Sequence, residues 1–206
     1  MMSCLRPFLL MALWLAGVAL GGCQPKTPTQ AQLQANTFLA INLTGVSYAQ
    51  DWAIPDAQGR VWHLTDFKGR IPVVFFGYSQ CPDVCPTTLA TLTQAQALLG
   101  PAGTKIQPIF VTLDPERDTP AVLQEYVARF STSFLALRPQ PAELPELTKQ
   151  FRVIYQKIPG DQPNDYHIDH STGSLVFDKQ GRPRLHVAYE STAQAWAHDL
   201  SLLVNE

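Results

Sequence analysis

Six consecutive apolar residues, 71–76 "IPVVFF", run into "GYSQCPDVCPTTL", a short loop holding Cys81 and Cys85, each followed by a proline. An apolar run with no polar alternation reads as a strand covered on both faces, which requires a sheet with layers on either side. From Pro86 to Leu99 the apolar spacing turns helical (Leu89, Leu92, Ala95, Leu98, Leu99) and stops before Gly100-Pro101. A buried strand that turns through a few residues into a helix is the opening of a β-α-β unit. The chain is thereby restricted to the α/β class.

The remaining segments extend that pattern. "RVWHL" reads as a short strand after the turn "DAQG", and 106–113 "IQPIFVTL" as the next long strand, with Pro108 implying an irregular start. Thr119 can cap a helix that has Pro120 at its first position and runs to about Phe130. A short strand near 134–137, a helix from about Pro141 to Phe151, and "VIYQKI" follow. After a loop come "GSLVFD", the turn "KQGR", "PRLHVAY" and a last helix from Thr192 to Val204. Parallel strands first and a hairpin later predict a thioredoxin-like fold: a mixed central sheet flanked by helices, with an N-terminal extension. Trp52, Trp62, Phe75, Phe76, Phe110 and Phe177 are expected in its core.

The N-terminus reads differently. Arg6 precedes the apolar run "FLLMALWLAGVAL" and the small residues Gly21 and Gly22, the pattern of a signal peptide over 1–22. Leu20-Gly21-Gly22-Cys23 resembles the lipobox of bacterial lipoproteins, which implies acylation of Cys23 and a lasting membrane anchor. Residues 23–40 then form a lipidated cysteine and a flexible tether, about 50 Å long when fully extended. The folded domain is expected over 41–206. Export changes the cysteine arithmetic: Cys4 leaves with the signal and Cys23 carries lipid, so Cys81 and Cys85 are the thiols left for chemistry in an oxidising space. The chain carries 15 Lys and Arg against 17 Asp and Glu, with no basic stripe, so nucleic acid is not an expected partner.

Three readings of Cys81 and Cys85 compete. A structural disulfide closes only about five residues and contributes roughly 2 kcal/mol before strain, little reason to place one here. A thioredoxin-type redox pair has two intervening residues and a proline opposite them on a later strand. Here three residues intervene, and "DYHIDHST" offers His170 where that proline would stand. Metal binding is the third reading. Two thiolates and one imidazole suit copper, Cu(I) above all, whereas structural zinc needs a fourth ligand such as His167, an aspartate or water. The helix opening at Cys85 favours thiolates in either of the last two readings.

The segments "FFGYSQCPDVCPTTL", "VTLDPERDTP", "FRVIYQKI" and "DYHIDHSTGSLVFDKQGRP" resemble, in order and spacing, the motifs of the Sco/SenC family, the copper-binding assembly factors of cytochrome c oxidase. The resemblance implies Cys81, Cys85 and His170 as ligands of copper, as Cu(I), Cu(II) or both. It further implies the copper-binding subunit of the oxidase as partner. On this reading the protein is an extracytoplasmic, membrane-anchored copper chaperone for the binuclear copper site. The alternative is a thiol-disulfide reductase that keeps cysteines of the oxidase or another exported protein reduced, using Cys81 and Cys85 without copper; other periplasmic copper or thiol-redox proteins are further candidate partners. Asp114, at the end of a strand, is a candidate to orient a ligand or pair with a partner's cation, against an ordinary turn role in "DPERDTP". Tyr78 and Asp83 flank the cysteines and shape the pocket, and His167 reads as a solvated loop histidine.

Overall fold

The computed structural model describes residues 37–161 and 165–206, so the signal peptide, Cys23 and most of the tether lie outside the described residues. The strands are β1 (Ile41–Asn42), β2 (Ala53–Pro55), β3 (Val61–His63), β4 (Ile71–Gly77), β5 (Ile106–Thr112), β6 (Leu135–Leu137), β7 (Tyr155–Pro159), β8 (Tyr166–His170), β9 (Ser174–Phe177) and β10 (Pro183–Val187). The helices are α1 (Val84–Leu98), α2 (Pro120–Ala128), α3 (Leu144–Phe151) and α4 (Ala193–Asn205).

A six-stranded sheet has the order β1-β10-β9-β4-β5-β6. Strands β4, β5 and β6 are parallel, while β9 runs antiparallel to β4, and β10 and β1 continue antiparallel beyond it. All seven residues of β4 and of β5 are buried, which is why β4 reads as an unbroken apolar run. Neighbouring side chains on β4 serve opposite faces: Phe75 packs against Phe110 and His170, and Phe76 against Phe151 of α3. Helices α1 and α4 pack on each other. Trp52, Phe75, Phe76, Phe110 and Phe177 are core residues as expected, whereas Trp62 is half-buried and stacks on Phe67.

Three local expectations need correction. Pro108 lies inside a regular ladder with β4, one residue before the pairing of β5 with β6 begins at Ile109, so the missing N–H falls outside that second ladder. Pro86 is the third helical residue rather than the first, because α1 opens at Val84 behind Asp83; the third N–H of a helix has no intrahelical acceptor either, so proline is tolerated there. The segment read as a loop before "GSLVFD" contains a strand. Residues Tyr166–His170 pair antiparallel with Tyr155–Pro159, from Tyr155 opposite His170 to Pro159 opposite Tyr166. Thr119 does cap α2 as expected, accepting from the Val122 N–H with Pro120 next in line.

Candidate metal centre

The site forms where β4 ends. Tyr78 and the loop through Cys81 leave the strand, and α1 begins with Cys85 as its second residue. Cys85 is fully buried, because its sulfur lies against the end of β4 where Gly77 has no side chain; a Cβ there would stand 2.7 Å from Cys85 Sγ. Cys81 is half-exposed, and its sulfur accepts from the Cys85 backbone N–H at 3.4 Å. That N–H is one of the unpaired donors at a helix start, a position that stabilises a thiolate.

Opposite the cysteines stands His170, the last residue of β8. Its Nε2 lies 3.8 Å from Cys85 Sγ, across 85 positions of sequence. Its Nδ1 is 2.8 Å from the carbonyl oxygen of Ser171, which can only accept, so Nδ1 carries the proton and the lone pair of neutral imidazole sits on Nε2, facing the sulfur. The rings of Phe75 and Tyr78 meet the imidazole edge-on, with centroids 6.1 and 6.2 Å away. These contacts leave the ring little room to turn away.

The two thiols are unequal. A hydrogen bond from the Cys85 thiol, together with the backbone N–H groups of Cys85 and Asp83, outweighs burial and holds Cys81 far below the usual thiol range, at about 3. The same hydrogen bond, burial and the neighbouring charge on Cys81 push Cys85 upward. The pair therefore shares one proton, held on the buried sulfur.

The donors suit a soft ion, two sulfurs and one imidazole nitrogen. Bonds of about 2.3 Å to sulfur and about 2.0 Å to nitrogen, set 120° apart, place those atoms about 3.7 Å from each other, close to the spacing of Cys85 and His170. Among the described residues no set of three His, Cys, Asp or Glu side chains is already closed around one point. Of the two sulfurs, that of half-exposed Cys81 is the more accessible, and that of Cys85 is buried.

Other candidate residues separate clearly. His167 and His170 belong to one strand at odd spacing; His167 is 57% exposed and its Nε2 lies 3.8 Å from Asp169 Oδ1. Tyr78 is buried against His170, and Asp83 borders the cleft, its carboxylate accepting from Thr87 Oγ1 at 3.4 Å. Asp114 is fully buried and committed within the chain: it accepts from the Tyr166 hydroxyl at 2.8 Å and pairs with Arg117 Nε. It does not offer a free carboxylate to a partner's cation. Sequence reasoning passed over Asp118, which is also fully buried and accepts from the Ser79 N–H and hydroxyl and from the Thr112 hydroxyl. It fastens the cysteine loop to the end of β5, while burial raises its own pKa. The alternation of short polar residues in "YSQC" and "VTLDPERD" held no signal separating Asp118 from its neighbours.

Fold and site together define a thioredoxin-like α/β protein with a dithiol and an imidazole gathered at the carboxyl end of its central strand. The chain belongs to the SCO1/SenC family, whose model matches residues 43–205. It is 30% identical over 171 residues to an SCO2-like protein of Rickettsia typhi, covering 82% of this chain and 81% of that one. Among solved structures it resembles the solution structures of apo Sco1 from Thermus thermophilus, with a TM-score of 0.68, 37% identity and coverage of 81% and 94% of the two chains. It also resembles the structure of Bradyrhizobium japonicum ScoI with copper bound, with a TM-score of 0.69, 31% identity and coverage of 76% and 99%.

Proposed function

We propose that this protein carries copper, held by Cys81, Cys85 and His170, and hands it to the binuclear copper site in the copper-binding subunit of cytochrome c oxidase. The observation that carries the reading is the bare Nε2 of His170 lying 3.8 Å from Cys85 Sγ. Membership of the SCO1/SenC family and the copper in the Bradyrhizobium relative support the choice of cargo. Three ligands from one chain leave a coordination position open, so a partner's sulfur or nitrogen can bind the ion before the donor lets go. Copper then passes by ligand exchange, with no change in its electron count. The signal-like segment 1–22 and Cys23 support an extracytoplasmic protein tethered to a membrane, and among the described residues no helix is long and apolar enough to cross one.

A second reading is favoured by the unequal thiols: a thiolate at Cys81 beside a buried thiol at Cys85 is the arrangement of an attacking and a resolving cysteine. In it Cys81 attacks a partner disulfide, Cys85 then displaces the mixed disulfide, and two electrons pass to the partner as Cys81 and Cys85 become joined. One experiment separates the readings. Reduced protein is titrated with Cu(I) against a chelator, beside His170→Ala, and both are tested for restoring oxidase assembly in cells that lack the protein. Copper carriage expects one tightly held ion per chain, weakened in His170→Ala together with assembly. Equal copper affinity in the two proteins overturns the ligand assignment, and full assembly with the weakened variant favours the reductase.

A further inference from the structure

The histidine of the site is carried by a hairpin that the main sheet does not hold. Strands β7 and β8 form a separate two-stranded sheet, and among the described residues no backbone hydrogen bond joins them to the six-stranded one. The position of His170 over the cysteines is therefore set by side chains, beside the covalent links at the ends of the hairpin. Alternation along β8 places Tyr166, Ile168 and His170 on one face. Ile168 is buried and its backbone meets the Tyr78 hydroxyl.

The far end of that face is gripped by Arg117, in the loop between β5 and α2. Its guanidinium lies over the Tyr166 ring, 3.5 Å from the centroid, and its Nη1 donates to the Tyr166 carbonyl at 2.9 Å. Its Nε pairs with Asp114, which accepts from the Tyr166 hydroxyl at 2.8 Å. Ring, carbonyl and hydroxyl of one hairpin residue are thus tied to a rigid strand end through one planar cation and one buried carboxylate. On the other side Lys157 of β7 pairs with Glu116 at 2.5 Å, and its ammonium sits 4.7 Å from the same ring. Arg117 Nη2 is buried with no acceptor, so the placement does not maximise the cation's own hydrogen bonding.

We propose that Arg117 is a positioning residue which, by clasping Tyr166 against Asp114, holds the β7–β8 hairpin so that His170 stays over Cys81 and Cys85; this rests on the reading of His170 as a copper ligand. The clasp needs a planar, forked cation that stacks and bonds in two directions, which lysine cannot reproduce. Arg117→Lys keeps a positive charge near Asp114 and so avoids stranding a buried carboxylate. Residues that orient a ligand without touching the ion typically alter metal affinity by about 10- to 100-fold.

The test pairs two readouts on the full-length protein. Hydrogen exchange of the metal-free, reduced protein reports the hairpin, and Cu(I) competition with a chelator reports the site. In Arg117→Lys the amides of residues 166–170 are expected to exchange faster while those of β4 and β5 keep wild-type rates. Copper affinity is expected to fall about tenfold or more with one ion still bound per chain. Tyr166→Phe, which loses only the hydroxyl bond to Asp114, is expected to change both readouts in the same direction by less, and it decides the question if Arg117→Lys does not fold. Wild-type exchange in the hairpin, or faster exchange with unchanged affinity, overturns the proposal. His170→Ala is run alongside: if it binds copper as tightly as wild type, the ligand reading has failed, and the exchange data still report whether Arg117 holds the hairpin.

Discussion

Replacing Gly77 with alanine adds one methyl at the point where the fold admits a buried sulfur to the end of β4. The new Cβ would stand 2.7 Å from Cys85 Sγ, 3.0 Å from Phe110 Cε2 and 3.1 Å from Phe75 Cε1, where ordinary contact begins at 3.4 Å. The sulfur is thus about 0.7 Å too close. Both rings are fully buried and β4 is paired on both sides, so the side that can yield is Cys85 and the first turn of α1. Metal–ligand distances tolerate only about 0.2 Å, so a shift of that size disturbs the spacing to His170. Overpacking of this kind costs about 1–3 kcal/mol of stability, which at about 2–4 °C per kcal/mol lowers Tm by roughly 2–12 °C. Copper affinity is expected to drop about tenfold, or about 1.4 kcal/mol. Thermal unfolding of the metal-free protein and chelator competition of the loaded one measure the two effects. A variant with wild-type Tm and affinity within about twofold of wild type would show that the glycine does not control the approach of the sulfur.

Two further outcomes follow from the unequal thiols. Cys81 is already a thiolate at neutral pH while Cys85 holds the shared proton, so loading the site releases one proton from Cys85. Because that proton competes with the ion, the apparent affinity should rise about tenfold per unit between pH 7 and 8, seen as proton uptake by buffers in calorimetry; a release of two protons or none contradicts the sharing. Alkylation of the reduced, metal-free protein near pH 6 should modify Cys81 well before Cys85, because the first is charged and half-exposed and the second is protonated and buried. Peptide mapping by mass spectrometry reads the order, and equal rates would refute it.

Much of the frame was legible because it follows from local rules. The run 71–76 announced a strand covered on both faces, and all of β4 is buried. Thr119 and Pro120 announced the start of α2. Strand β8 escaped notice because it is only five residues long and its inward positions are Tyr166, Ile168 and His170, of which only Ile168 is aliphatic, so its alternation is weak. Arg117 and Asp118 were hidden inside "DPERDTP", where every residue also suits a turn.

Composition and spacing determined that a dithiol would stand between a buried strand and a helix, since neighbours in the chain are neighbours in space. Which remote groups join it is a different matter. The 3.8 Å approach of His170 to Cys85 spans 85 residues and depends on a hairpin whose place is set by Arg117, Asp114 and Tyr78. The unequal protonation of the two sulfurs likewise arises from burial and from hydrogen bonds that exist only once the helix has closed on the strand. Contacts between distant segments are created by packing: His170 was named in advance through the expected fold and the family resemblance of "DYHIDHST", and its distance from the sulfurs is set by the folded chain.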